Sequence, residues 1–342
     1  VTPTPNRYRE VHKKLKNLLL DYTARVIPKS IDEFVLHMEN YPYLKKGMFK
    51  MADEIKFRIN AEIGEWITVS IGIAPNRFLA KTAAGLIKPN GLAEINEANH
   101  KEIFSKLKLK DLCGINRGNA KRLNDVGINN VLDFYNADFF KLQSAFKSIA
   151  AYYWFLRLRG YEIDDYETDR TTFSHSYVLP NAINSETEIR KLLQKLVEKV
   201  AMRMRREGYK ARGVFVNVKY ETPRNQTGPI SHGWSHKDKY SYWGDARTGM
   251  KEIFDSIDLY KTAKEIIDTR PFKVPIRQIA VGTYYVTQTD DLQLDLFDDV
   301  MKKENLMKAV DTINDRWGSF KIKPAQMLFS ESLAPDSIAF GR

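Results

Sequence analysis

Ser70-Ile71-Gly72-Ile73-Ala74-Pro75-Asn76-Arg77-Phe78-Leu79-Ala80-Lys81, running on to Lys88-Pro89-Asn90-Gly91, is the stretch on which the fold turns. Residues 66–73 (WITVSIGI) are short and β-branched and predict a strand. Pro75 ends it, Asn76 stands where a helix cap belongs, and a helix over 77–87 must stop before Pro89-Asn90-Gly91. Upstream, Tyr8, Val11, Leu15, Leu18, Leu19 and Tyr22 recur at three- and four-residue steps and predict a helix over 6–22, in a unit closed by Pro28. Residues 30–38 (SIDEFVLHM) read as a turn and a buried strand, and residues 47–63, with Met51, Ile55 and Ile59, as a second helix. Helix, strand, helix, strand, helix is the order of an α/β or α+β layer.

Downstream the pattern changes twice. Residues 100–161 read as nearly all helix, punctuated by Gly114, Gly118 and Gly127. After Asp164 come a strand over 171–179, a long helix over 185–207 and an alternating strand over 212–220. A polar loop over 221–245, a helix over 248–267, a strand over 276–286, an acidic loop and a helix over 302–317 complete the chain. That β-α-β-α-β order predicts a small sheet with helices on one face.

At 342 residues the chain should divide into two or three domains, and 43% hydrophobic with 12% aromatic residues supports packed cores. The 54 basic against 43 acidic residues leave +11, which attracts polyanions, nucleic acid or an anionic membrane. No apolar run reaches the roughly 18 residues of a membrane span, and residues 1–8 carry no apolar signal-peptide segment. The single cysteine, Cys113, excludes an internal disulfide and a Cys-rich zinc site and fits a reducing cytoplasm.

Adjacent carboxylates Asp32 and Glu33 sit between a helix and an apolar strand. Nucleotidyl transfer needs carboxylate oxygens that hold hard cations, and a dedicated two-metal site usually takes a third carboxylate. Alone, an Asp-Glu pair reads equally as an exposed turn. Lys88 just past its helix can reach a phosphate as a point charge, or simply favour the helix C-terminus.

Taken together, Ser-Ile-Asp-Glu, SIGIAPNRFLAK and KPNG resemble the palm of Y-family translesion DNA polymerases, and the resemblance runs through nearly the whole chain. It implies an α+β multidomain protein: a partial palm over 1–96, a helical thumb with a helix-hairpin-helix over 97–164, and a little finger over 165–342. It implies that Asp32 and Glu33 ligate two Mg²⁺ ions, that Lys88 contacts the incoming dNTP, and that Ser30 and the Ser70 strand frame the site. The thumb would contain residues 109–128, whose hairpin has Asn116 where the usual Gly-apolar-Gly motif has its second glycine. Gly114, Asn116, Gly118, Lys121 and Arg122 would grip a DNA phosphate there, the alternative being an ordinary helical hairpin. Among the bases of residues 185–219, Arg212 and Lys219 are the DNA-binding candidates in the little finger, while lysines beside Glu188, Glu198 and Glu207 read as a solvated face. Gln293-Leu294-Asp295-Leu296-Phe297, with Asp290, Asp291, Asp298 and Asp299 around it, has the form of a bacterial sliding-clamp peptide, with Gln293, Leu294, Leu296 and Phe297 as its anchors. Leu296 and Phe297 could instead be core.

The family's first palm strand with its Asp, its aromatic steric gate and its fingers have no counterpart before Asp32, and Asp21 is a poor substitute. With Val1 in place of Met, the expectation is a processed or partial chain, inactive alone, whose parent is a cytoplasmic, monomeric DNA polymerase acting on primer-template DNA without proofreading. A non-catalytic DNA- and clamp-binding module is the alternative, and a Mg²⁺-dependent nuclease a third.

Overall fold

The structure is a computed structural model that describes residues 4–38, 47–166, 169–221, 241–288 and 300–336. They fall into two compact units that divide near residue 167.

In the first unit, helix α1 (Pro5–Leu19) leads into a hairpin of β1 (Val26–Pro28) and β2 (Phe34–Leu36), with Pro28 opposite Phe34. Helix α2 (Met48–Arg58) continues as a π-helical turn over Ile59–Ile63. Leu15, Leu18, Leu19, Tyr22, Val26, Met51, Ile55 and Ile59 form the core between these elements. The periodic apolar residues of both helices thus meet one another, as their spacing required. Strand β2 is half-buried rather than buried. Strand β1 went unrecognised because Val26-Ile27-Pro28 is too short to alternate.

A βαβ unit follows: β3 (Ile71–Ile73), α3 (Arg77–Leu86) and β4 (Leu92–Glu94), with β3 and β4 parallel. Only the last three residues of the expected 66–73 strand pair, and Trp66 is 89% exposed. Gly72 is the residue that lets α3 lie against β3, because a Cβ there would come within 1.9 Å of the Ala80 carbonyl oxygen. Asn76 caps α3 by accepting the Leu79 N–H at 2.8 Å and donates to the carbonyls of Arg157 and Tyr161 at 2.8 and 2.9 Å. Helices α4 (His100–Lys106), α5 (Arg117–Asn124), α6 (Val131–Asn136), α7 (Phe139–Phe146) and α8 (Ala150–Leu158) then share one core with α3, running from Phe78 and Leu79 to Trp154 and Leu158.

In the second unit, β5 (Thr172–Ile183), β6 (Tyr209–Tyr220), β7 (Tyr242–Ile253) and β8 (Ile276–Gln288) form an antiparallel sheet in the order β5-β8-β6-β7. Helices α9 (Glu186–Arg206) and α10 (Ser256–Asp268) supply Leu192, Leu196, Val200, Leu259, Ala263 and Ile266 to a core facing Val214, Val216, Val218, Ile279 and Val281. Helix α11 (Val300–Trp317) comes last. The order is therefore β-α-β-β-α-β, and the helix expected over 248–267 is corrected: residues 248–253 belong to β7, and α10 starts at Ser256. Asp255 sets that start by accepting the N–H groups of Ile257 and Asp258, each at 2.9 Å. Strand β7 pairs only with β6 and is mostly exposed, so it carries little of the apolar alternation that marks a strand.

Candidate active site

The β1–β2 hairpin holds the first carboxylates on its loop. The Lys29 N–H donates to the Glu33 carbonyl at 2.8 Å, which closes residues 29–33 into a turn. Ser30 Oγ donates to Asp32 Oδ1 at 2.5 Å and accepts the Asp32 N–H at 3.3 Å, an arrangement that orients the exposed carboxylate. Behind the loop, His12 stacks on Phe34 and its Nδ1–H donates to the Ile31 carbonyl at 2.9 Å. Glu33 meets Lys81 from α3: the ammonium donates to both carboxylate oxygens at 2.7 Å. Partial burial pulls the Lys81 pKa down, but Glu33, with Cys113 and Asp32 adding attraction, leaves it raised overall. Asp32 and Glu33 present only oxygen donors, which fit a hard divalent cation. Asp21 is engaged elsewhere, accepting from Arg58 at 2.9 Å. Among the described residues no group of three or more His, Cys, Asp or Glu side chains could hold a metal ion.

Ser70 ties the second motif to β3. Its Oγ accepts the Gly91 N–H at 3.1 Å and donates to the Ile87 carbonyl at 3.3 Å, while Lys56 donates to the Asn90 carbonyl at 2.6 Å. A Cβ on Gly91 would come within 1.9 Å of the Ile87 carbonyl oxygen, so the tight turn of Lys88-Pro89-Asn90-Gly91 requires glycine there. Lys88 is exposed and makes no hydrogen bond or ion pair with the described residues. Lys81 is the residue that sequence reasoning overlooked. It lies inside the quoted motif, but its partner is 48 positions away and no local pattern links the two.

In the helical part, Asn116 has φ −85° and caps α5, accepting the Asn119 N–H at 3.0 Å. The left-handed residue of the hairpin is Gly114, at φ +87°. Asn119 closes the turn by donating to the Gly114 carbonyl at 3.1 Å. Arg117 and Gly118 follow the cap and begin α5, so their N–H groups are those a helix start leaves without an intrahelical acceptor. Lys121 is paired with Asp125 at 2.8 Å, and Arg122 reaches Asn119 Oδ1 at 3.5 Å.

The second unit separates its basic residues into two sets. On α9, Lys195 donates to the Ser330 and Glu331 carbonyls, Arg203 to the Ser174 carbonyl, Arg190 to Asp268, and Arg205 to Asp311 through two bonds of 2.7 Å. These bases serve the unit's own packing. The sheet face away from the helices carries Ser174, Gly282, Phe215 and Ala246 in one row and Val178, Gln278, Lys219 and Tyr242 in another. It is flat because side chains lie over glycines: a Cβ on Gly282 would meet Phe215 at 2.5 Å, and one on Gly213 would meet Tyr284 at 2.4 Å. Lys219 Nζ lies 5.3 Å from the Tyr242 ring centroid. Arg212 is exposed at the irregularity between Ala211 and Gly213. Gln293, Leu294, Leu296 and Phe297 lie outside the described residues.

Comparison with known proteins gives a consistent result. Residues 1–85 match the impB/mucB/samB family, and residues 170–296 match the impB/mucB/samB family C-terminal domain, together more than half of the chain. The chain is 26% identical over 333 residues to a DNA polymerase IV of Pelotomaculum thermopropionicum, covering 95% of this chain and 77% of that protein. It is 32% identical over 226 residues to a DNA polymerase IV of Pseudomonas fluorescens, covering 64% and 63%. Against DNA polymerase IV 1 of Bacillus subtilis the identity is 25%, covering 99% and 79%. A solved Y-family DNA polymerase chimera shares the fold with a TM-score of 0.66 at 21% identity, covering 84% of this chain and 78% of that one.

Proposed function

The chain belongs to the impB/mucB/samB family and is a Y-family polymerase of the DinB type; from that premise we propose that it serves template-directed DNA synthesis of the translesion type, with Asp32 and Glu33 as ligands for two Mg²⁺ ions. The observation that carries this reading is the acidic loop itself: two carboxylates on a hairpin turn, one exposed and one held, among the described residues, by a lysine, inside the residues matched by the family. Mg²⁺ bound there would lower the charge on the reacting oxygens of nucleotidyl transfer. The chain's own residues prepare that position. Ser30 orients Asp32, the His12–Ile31 hydrogen bond steadies the loop, and α3 carries Lys81 against Glu33. Lys88, exposed on a turn pinned by Ser70, supplies a positive charge for the triphosphate of an incoming dNTP.

Three further elements fit duplex DNA. The α5 start, with the N–H groups of Arg117 and Gly118 beside Lys121 and Arg122, suits a backbone phosphate in the manner of a helix-hairpin-helix thumb. The sheet face with Lys219, and the exposed Arg212 on the same strand, suit backbone contact irrespective of sequence as a little finger. Gln293, Leu294, Leu296 and Phe297 supply a sliding-clamp peptide. In this reading residues 1–96, 97–164 and 165–342 are palm, thumb and little finger of a cytoplasmic monomer. Among the described residues no helix is long and apolar enough to cross a membrane.

The test is Mg²⁺-dependent primer extension by the protein. Extension that Asp32→Asn or Glu33→Gln abolishes supports the reading. DNA binding with extension insensitive to both changes overturns the assignment of the site, and primer shortening indicates a nuclease.

A further inference from the structure

We propose that Lys81 is a built-in counter-ion of the acidic loop, which a divalent cation must displace from Glu33 in order to bind. The inference rests on the reading of Asp32 and Glu33 as metal ligands and concerns how that site is kept before metal arrives.

Four observations carry it. One ammonium donates to both oxygens of Glu33 at 2.7 Å, so the carboxylate edge that a cation would use is covered. Lys81 also attracts Asp32, more weakly than it does Glu33. Its anchorage is firm, because α3 is held against β3 by the close approach at Gly72 and capped by Asn76. Its head is loose, because the two side chains are 42% and 38% exposed, where an ion pair contributes little and exchanges readily with water.

The residue type matters. Asp165, Glu162 and Asp164, in the same unit, are held by Arg77, Arg25 and Arg157: Arg157 grips Asp164 through two bonds, Asp165 takes one bond from each of Arg25 and Arg77, and such planar guanidinium groups shed water easily. Lys81 is a compact, strongly hydrated charge on a flexible stem, able to swing away without leaving a buried group unsatisfied. A cation that takes Glu33 gains its two negative oxygens only by pushing Lys81 off, and the displaced ammonium still repels it. Lys81 is therefore a positioning residue that sets metal affinity and keeps Glu33 aimed at α3 while the site is empty.

The experiment is Mn²⁺ binding to the DNA-free protein, read by the loss of the free-ion electron paramagnetic resonance signal, for wild type, Lys81→Met, Lys81→Gln, Lys81→Arg, Glu33→Gln and the Lys81→Met/Glu33→Gln pair. Circular dichroism melts check that each variant is folded. Displacement predicts Mn²⁺ affinity about three- to tenfold tighter in Lys81→Met and Lys81→Gln than in wild type, and weaker in Lys81→Arg, whose fork holds Glu33 harder. Combining Glu33→Gln with Lys81→Met should erase the gain, because the two residues act on one another. If wild type binds too weakly to register, binding that becomes measurable in Lys81→Met supports the proposal. Equal or weaker affinity in Lys81→Met and Lys81→Gln overturns it. Should Glu33→Gln leave Mn²⁺ binding unchanged, the metal-ligand reading itself fails, a result distinct from the failure of Lys81 alone.

Discussion

Two acidic stretches of the first unit, Ser30–Glu33 and residues 162–165, put the same chemical groups to opposite uses. Glu162 accepts the Arg77 N–H at 2.9 Å and pairs with its guanidinium, Asp164 is bound by Arg157, and Asp165 is shared by Arg25 and Arg77. Arg77 itself is only 8% exposed. That stretch is closed: each of these three carboxylates has an arginine, and its side chain is less exposed than that of Glu33. The hairpin loop is open: Asp32 has a serine, Glu33 has a lysine, and both remain accessible. Carboxylates committed to architecture are neutralised by arginine forks, and carboxylates kept for a cation are left to partners that can be displaced.

The contrast breaks or holds on substitutions. The largest effect is expected at the loop: Asp32→Asn should lower single-turnover nucleotide incorporation by the protein about a thousandfold, with the melting temperature nearly unchanged. Next in size, Arg77→Ala should destabilise the first unit by about 1–3 kcal/mol, because Glu162 and Asp165 lose the guanidinium while keeping the residue-77 backbone N–H and Arg25 respectively. Urea unfolding of the variant measures this.

The pH dependence sharpens the same difference. Burial alone would raise the Asp165 pKa, but its bonds to Arg77 and then Arg25 bring it below the ordinary carboxylate value. A depressed folded pKa means stabilisation that is complete above the unfolded value, about 3.9, and is lost as pH falls through the lower folded value. Stability of the wild type should therefore drop below about pH 4 more steeply than that of Asp165→Asn, as acid titration followed by circular dichroism will show. Smaller still, Asn116→Ala should cost about 1 kcal/mol through the lost α5 cap. The smallest effect belongs to the sheet face: Lys219→Ala should weaken DNA binding a few-fold and reduce the salt slope of affinity by about one.

Much of the fold could be read from local signals. The periodicity of α1, α2, α3 and α9 and the Asn76 cap are short-range properties, and the structure keeps them. Strand β7 could not be read, because an edge strand exposed along most of its length has no apolar alternation to display. Strands β1 and β4 have three residues each, too few for any period. Within the candidate site, Asp32, Glu33 and Lys88 came from the motif, whereas Lys81 depends on a contact between hairpin and helix that only folding creates. The α9 bases illustrate the converse. A run rich in lysine and arginine looked partly free, yet Arg205 meets Asp311 and Lys195 meets carbonyls at 330 and 331, more than a hundred positions away. Charge counts are visible in sequence; which charges are already taken is not.

The most direct test compares Asp32→Asn with Asp165→Asn in the protein, with single-turnover nucleotide incorporation and thermal unfolding measured on the same samples. The account predicts that Asp32→Asn loses incorporation while keeping its melting temperature. It predicts that Asp165→Asn loses melting temperature while keeping most of its incorporation below that temperature. Incorporation within tenfold of wild type in Asp32→Asn would contradict the assignment of the hairpin loop as the site of chemistry.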